Sequence, residues 1–335
     1  MSVYTSISAT EAARLLADYP IPESHRFQLS PIQNGIENSN YLLQAGKDSY
    51  ILTIYEHFNS RDIDWYLRLL DFLRQNTLSV PQALTDKNGQ RLCYWQAKPA
   101  ALFKRLPGQH IEQPELEHCR QIGEFLARLH LYTRNYPRTR TNPWDTQGLL
   151  STARQLLAEN TLSTEDKRLL TKELGELQPD VNLNLPQGII HADLFRDNAL
   201  FLENRLSGVL DFYSACSGPL LFDLATVVND WCLEDCFEEK HTLNPDRVRA
   251  LLQAYQKLRP LTNEEHRQWP AMLRFAVLRF WISRLLHQNR DEKNKNSPQN
   301  SGQLIQDKDP DVLKYLLLYH RDTQLMHQIL EYYAF

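Results

Sequence analysis

The feature that most constrains the fold of this chain is a change in hydrophobic pattern at Pro107-Gly108. Before it, apolar runs are short and separated by turn-like pairs; after it, apolar residues recur every three or four positions. Period two belongs to strands and period 3.6 to helices, so the chain reads as α+β, with a β-rich part over 1–106 and a mainly helical part over 107–335. Residues 39–45 and 49–55, separated by Gly46, Lys47 and Asp48, predict a β-hairpin. Ser8 and Glu11 form a capping box at the start of a short helix through Ala12 to Leu16. Ile63, Tyr66, Leu67, Leu70 and Leu73 predict a second helix, with Ser60 as its cap. Asn88-Gly89 marks a further hairpin turn, ahead of strands over Leu92–Gln96 and Ala100–Leu106.

Beyond the boundary, Leu116, Cys119, Ile122, Phe125, Leu126 and Leu129 make one apolar helical stripe, which points to core. A less patterned helical region covers 150–178, and further helices are expected from Phe222 to Leu233 and over 246–257, 268–287 and 310–332. The segment 288–309, rich in Asn, Gln, Lys, Asp and Ser, reads as a solvated connector. At 335 residues, 42% apolar and 23% charged, the chain can bury a large core in two domain-sized units. A net charge of −4 leaves no basic footprint for nucleic acid. Five irregularly spaced cysteines show neither a disulfide framework nor a paired zinc motif, and Cys232-x-x-x-Cys236 reads as packing. No basic segment followed by an apolar core opens the chain, and no run approaches the ~20 apolar residues that span a bilayer, so a cytoplasmic location is expected.

The chemistry lies in residues 188–213. Ile189-Ile190, Ala199–Leu202 and Leu206–Leu210 are short apolar runs; the last two, joined at Glu203, Asn204 and Arg205, predict a hairpin with Asn198 at one end and Asp211 at the other. Asp193 lies on the loop entering it. Each residue alone fits an ordinary loop polar. Together, a carboxylate followed by an amide five residues on and a second carboxylate thirteen beyond that suits phosphoryl transfer. Asp193 would accept the proton of an attacking hydroxyl, Asn198 and Asp211 would hold Mg²⁺ against the nucleotide phosphates, and His191 would brace the loop.

The β-rich part, the Pro-Gly junction, the helical part and His191-Ala-Asp193, Asn198 and Asp211-Phe212 together resemble the aminoglycoside phosphotransferase and choline kinase superfamily, whose fold is similar to that of protein kinases. Asn34-Gly-Ile-Glu-Asn-Ser-Asn-Tyr41, Tyr50-Ile-Leu-Thr-Ile-Tyr-Glu56, the Asp211-to-Asp223 block and Val228-Asn-Asp-Trp-Cys232 resemble its kinase-like homoserine kinases. The resemblance runs over essentially the whole chain and implies ATP and Mg²⁺, a nucleotide-binding lobe over 1–106, and a lobe with the catalytic loop and substrate site over 107–335. It further implies that Gly35, Asn38 and Tyr41 form a turn over the nucleotide, and that Leu102 to Arg105, with Leu102, Phe103 and Lys104 in the nucleotide site, is the hinge whose backbone meets adenine. Asp223 would support the catalytic loop from the following helix.

Two departures stand out. Thr53 occupies the place where kinase-like folds carry a lysine on the phosphates, and a neutral hydroxyl does not replace an ammonium; another cation such as Lys104, or the metal, would carry that charge. Ala192 stands where Gly is usual, which argues that this residue need not adopt positive φ. For the acceptor, homoserine needs a cation for its carboxylate and an anion for its ammonium, with Arg284 and Asp230 as candidates. Tyr213, Trp231 and Trp281 either line the pocket or pack. The same aromatics with Asp230 could instead cage a choline-like cation. An aminoglycoside, a protein serine, or a nucleotide-binding pseudokinase role motivated by Thr53 also stay open.

Overall fold

Alternating residues in the first part of the chain build a six-stranded antiparallel sheet. The computed structural model describes residues 4–21, 27–32, 38–159, 161–176, 185–234, 242–295 and 310–322. The chain divides into two units, one of residues 1–109, 200–202 and 207–213, the other of residues 110–199, 203–206 and 214–335.

In the first unit, α1 (Ala9–Leu16) starts at the expected capping box, with Ser8 Oγ accepting from the Glu11 N–H at 3.3 Å and Glu11 Oε2 accepting from the Ser8 N–H at 2.9 Å. The strands are β1 (Phe27–Pro31), β2 (Asn38–Ala45), β3 (Asp48–Tyr55), β4 (Gln82–Ala83), β5 (Leu92–Trp95) and β6 (Lys98–Lys104), with α2 (Ser60–Gln75) between β3 and β4. Their order is β1-β2-β3-β6-β4, and β5 also pairs with β6. Register decides the faces. Leu52 is opposite Tyr41 and Leu102, whereas Thr53 is opposite Asn40 and Ala101. Side chains alternate along a strand and paired residues share a face. Tyr41, Leu43, Leu52, Ile54, Ala100 and Leu102 therefore form one core with Ala12 and Leu16 of α1. Asn38, Asn40, Thr53, Tyr55, Ala101 and Phe103 point the other way, where the Tyr66 ring of α2 lies 6.3 Å from Phe103. Burying each leucine of such a core contributes about 1.5–3 kcal/mol.

Two local expectations are corrected. The cap of α2 is Asn59, whose side chain accepts from Asp62 N at 3.0 Å, so the helix begins with Ser60 rather than being capped by it. Asn88-Gly89 does not join paired strands: Asp86 Oδ1 accepts from the N–H groups of Asn88 and Gln90, both at 2.8 Å, and closes a loop. The actual hairpin, β5 to β6, turns at Gln96 and Ala97, which take φ of 48° and 64°.

The second unit holds α3 (Leu116–Thr133), α4 (Thr146–Ala158), α5 (Thr164–Glu176) and β7 (Gln187–Ile190). The hairpin of β8 (Ala199–Leu202) and β9 (Arg205–Val209), most of whose strand residues belong to the first unit, follows in the chain and turns at Glu203 and Asn204 with φ of 49° and 61°. Next come β10 (Cys216–Pro219), which pairs with β7, and α6 (Leu220–Trp231). The short pair β11 (Leu233–Glu234) and β12 (Thr242–Leu243), then α7 (Pro245–Leu258), α8 (Asn263–Lys295) and α9 (Pro310–Arg321), complete the unit. α3 packs on α7, and α6 and α9 pack on α8. The α3–α7 crossing requires Gly123, because a Cβ there would lie 2.3 Å from the carbonyl oxygen of Leu251. Glu173 and Glu176 of α5 pair with Arg274 of α8 and Arg321 of α9, Arg274 Nε lying 2.6 Å from Glu173 Oε2.

The expected connector over 288–309 is corrected in its first part, since α8 continues to Lys295; the rest lies outside the described residues. α9 ends at Arg321, and the tail of the expected 310–332 helix also lies outside them. Cys119, Cys216 and Cys232 are buried and Cys93 half-buried, all as free thiols, and Cys236 is outside the described residues. No helix among the described residues is long and apolar enough to cross a membrane.

Candidate active site

In the second unit, the chain leaves β7 at Ile190 and turns sharply at His191 and Ala192. Asp223, in the first turn of α6, takes both backbone N–H groups: His191 N donates to Oδ2 at 2.7 Å and Ala192 N to Oδ1 at 2.9 Å. Asp223 therefore does not cap its own helix but holds this loop. Burial works against its charge, yet the hydrogen bonds from His130 and His191 hold its carboxyl below the ordinary value. Ala192 has φ of 64°, which corrects the expectation drawn from its identity. A left-handed conformation costs a residue with a Cβ roughly 1–2 kcal/mol, so the loop pays for it through the two bonds to Asp223.

The following residues fix Asp193. Phe195 N donates to Asp193 O at 2.9 Å and Asn198 N to Phe195 O at 3.0 Å, a tight turn. Asn198 Nδ2 donates to the same Asp193 carbonyl at 2.8 Å, which turns its amide oxygen away from that carbonyl. Trp231 is fully buried and donates Nε1 to Leu194 O at 3.1 Å. It supports the loop from below, so of the two expectations for Trp231 the structure shows packing; Trp281 is likewise core. Arg196 N donates to Asp230 Oδ2 at 2.6 Å, and its guanidinium Nε lies 3.4 Å from the same oxygen.

Asp230 and Arg284, named from sequence as partners for a zwitterion, line one cavity of about 230 Å³ with Phe195, Arg196, Phe280 and apolar residues of α9. Beside it, Asn229 donates to Leu273 O at 2.9 Å, and His320 Nε2 stands 2.8 Å from Asn229 Oδ1. A second cavity of about 360 Å³, between Trp144, Gln187 and Phe222, is lined by none of His191, Asp193, Asn198 and Asp211.

Two residues that sequence reasoning missed back Asp223, His130 directly and Tyr255 through His130. His130 Nε2 lies 3.1 Å from Asp223 Oδ2, and Tyr255 OH lies 2.7 Å from His130 Nδ1. Both sit on apolar helical faces, where sequence alone marks them as core.

In the first unit, Thr53 is buried and donates its hydroxyl to Asn40 Oδ1 at 2.8 Å. Tyr213 packs beside Tyr66 and Tyr55, with ring centroids 4.6 and 5.7 Å away. Burial first, and the charge of Asp211 second, push the Tyr213 phenol well up, so it stays protonated. Asp211 is exposed and holds φ of 55°, a conformation Asp tolerates better than most residues. Among the described residues of β2, β3 and β6, the Thr53 face carries no Lys or Arg.

Three nucleotide-site expectations change here. Lys104 pairs with Tyr50 and so lies on the opposite face of the sheet from Thr53; it is not the replacement cation. Lys98, on that same opposite face, is engaged by Glu56 and by Thr5 Oγ1. The backbone of Leu102, Phe103 and Lys104 is paired with β3 on one side and with β4 or Leu84 on the other, and Arg105 N still bonds Ser49 O, so this stretch is taken up within the sheet. Tyr41 is core, its hydroxyl donating to Thr5 O at 2.8 Å, and its backbone is paired with Pro31 and Leu52. Asn38 opens β2 with its side chain buried, and Gly35 lies outside the described residues.

Comparison with known proteins matches residues 28–261 to the phosphotransferase enzyme family. The chain is 37% identical over 318 residues to the homoserine kinase of Methylobacillus flagellatus, covering 95% of this chain and 94% of that one. It is 39% identical over 292 residues to the homoserine kinase of Pseudomonas aeruginosa PAO1, covering 85% and 89%. Among solved structures, an amicoumacin kinase, hAmiN, in complex with AMP-PNP, Ca²⁺ and Ami superposes with a TM-score of 0.61 at 17% identity over 95% of this chain and 92% of that one, a likeness of fold.

Proposed function

This chain belongs to the phosphotransferase enzyme family, and on that premise we propose that it transfers the γ-phosphoryl group of ATP to the hydroxyl of L-homoserine, giving O-phospho-L-homoserine and ADP. The observation that carries the acceptor is the 37% identity to a homoserine kinase over 95% of this chain, which leaves little of either protein unmatched. Asp193 is the base: it takes the hydroxyl proton as the oxygen attacks the γ-phosphorus and ADP leaves. His191 contributes through its backbone, which Asp223 grips.

Asn198 and Asp211 are the proposed ligands of Mg²⁺. A carboxamide oxygen and a carboxylate are the hard oxygen donors this ion takes, and the Asn198 nitrogen is already committed to Asp193 O, which fits the oxygen being the ligand. Bound there, the ion would neutralise charge on the phosphates. Residues 1–106 are assigned to nucleotide binding, with Asn38 and Thr53 on the side of the sheet away from α1; residues 107–335 are assigned to the catalytic loop and acceptor. Arg284 is assigned to the carboxylate of homoserine and Asp230 to its ammonium, which their shared cavity supports. Tyr213 orders the residues around Asp211 by packing. ATP as donor suits a cytoplasmic enzyme on the route to threonine.

The test is a coupled ADP-release assay over L-homoserine, serine, threonine, choline and an aminoglycoside. L-homoserine should give the highest kcat/KM; a higher value for any of the others would overturn the assignment of the acceptor.

A further inference from the structure

We infer that His130 and Tyr255 are positioning residues for phosphoryl transfer: they hold Asp223 so that it keeps Ala192 in its left-handed turn and thereby aims Asp193, an inference that rests on Asp193 being the base. The chain of contacts is continuous. The Tyr255 hydroxyl lies 2.7 Å from His130 Nδ1, His130 Nε2 lies 3.1 Å from Asp223 Oδ2, and Asp223 accepts from His191 N at 2.7 Å and Ala192 N at 2.9 Å. Tyr255, His130, Asp223 and His191 are all buried.

The direction of each bond follows from its partners. An ionised carboxylate only accepts, so Nε2 is the protonated nitrogen of His130. Burial holds the ring below its ordinary pKa and therefore neutral. Nδ1 must then accept, and the Tyr255 hydroxyl donates to it. Tyr255 thus selects the tautomer that supports Asp223, as an orienting group on the far side of an imidazole does elsewhere. Two helices meet to build this: α3 carries His130, α7 carries Tyr255, and their close approach is set where Gly123 meets Leu251.

What the relay opposes is the conformation of Ala192. Its Cβ disfavours φ of 64°, and glycine at the same position would have no such preference. The two bonds to Asp223 offset that bias. If Asp223 shifts, Ala192 relaxes and the neighbouring Asp193 is displaced, which a geometry-sensitive step registers in turnover before binding.

Tyr255→Phe removes one hydroxyl while keeping the ring that packs on His130. It should lower kcat about tenfold, with KM for ATP and L-homoserine within about twofold of the parent. Adding Ala192→Gly to Tyr255→Phe should recover most of the lost kcat, since glycine takes the turn without strain; a purely structural role for Tyr255 would not be relieved in this way. A Tyr255→Phe kcat within about twofold of the parent, or a loss that Ala192→Gly does not recover, overturns the inference. Asp193→Asn is measured in parallel. If it turns over normally, the base assignment falls; if it is inactive while Tyr255→Phe is normal, only the relay falls.

Discussion

Asn198 donates its side-chain nitrogen to the backbone carbonyl of Asp193 at 2.8 Å, so the proposed base and one proposed metal ligand move as a single turn. Asp193→Asn should keep this turn and Mg-ATP binding yet lose about 10²–10⁴ in kcat, the usual share of a general base. Asn198→Ala breaks the turn and removes the ligand, so it should weaken Mg²⁺-dependent nucleotide binding as well as turnover. Asp211→Asn should weaken that binding too. Calorimetric titration of Mg-ATP alongside steady-state kinetics separates these effects, and normal turnover by Asp193→Asn would remove it as the base.

The Thr53 position gives a second expectation. Thr53→Ala deletes one neutral hydroxyl bonded to Asn40, so the KM for ATP should rise by less than about tenfold, in line with the ~0.5–1.5 kcal/mol of an ordinary hydrogen bond. Lys104→Ala should leave that KM unchanged, because its side chain lies on the other face of the sheet. A large rise in KM for ATP in Lys104→Ala would show that the facing assigned here misses a contact made on nucleotide binding.

A third expectation concerns the cavity lined by Asp230 and Arg284, the proposed acceptor site. An amino alcohol without a carboxylate leaves the cation of such a site unpaired, a loss worth about 10⁴ in discrimination when the site is built around the missing group. 3-Aminopropan-1-ol and choline should be very poor substrates beside L-homoserine. Arg284→Ala should narrow the gap by harming homoserine selectively. If kcat/KM ratios are unaltered in this variant, another residue holds the carboxylate.

Stability should fall on mild acidification. Burial lowers His320 from 6.5 to about 3, and His130 is lowered in the same direction. Below pH 6.5 the unfolded chain takes up protons that the folded chain refuses, so the contribution of neutral His320 is present above that pH and declines as pH falls toward 3. One such group changes the unfolding free energy by about 1.4 kcal/mol per pH unit well inside the window. Urea unfolding between pH 7 and 5 should show the loss, and His320→Gln should flatten it. An unaltered slope in His320→Gln would mean that His320 titrates normally in the fold.

Some local patterns were legible in the sequence. The Ser8–Glu11 box and the β2–β3 hairpin are built from residues a few positions apart, whose geometry the backbone itself limits. The Gln96-Ala97 turn was illegible because neither residue favours positive φ; pairing of the flanking strands imposes it. Ala192 misled for the same reason, since the acid that holds it in the left-handed region comes from α6. The facing of Lys104, the burial of Trp231 beneath Leu194 and the meeting of Tyr255, His130 and Asp223 were likewise decided only in three dimensions. Periodicity determines which residues share a face, but what that face meets depends on contacts between distant segments, and those exist only once the helices and strands have packed.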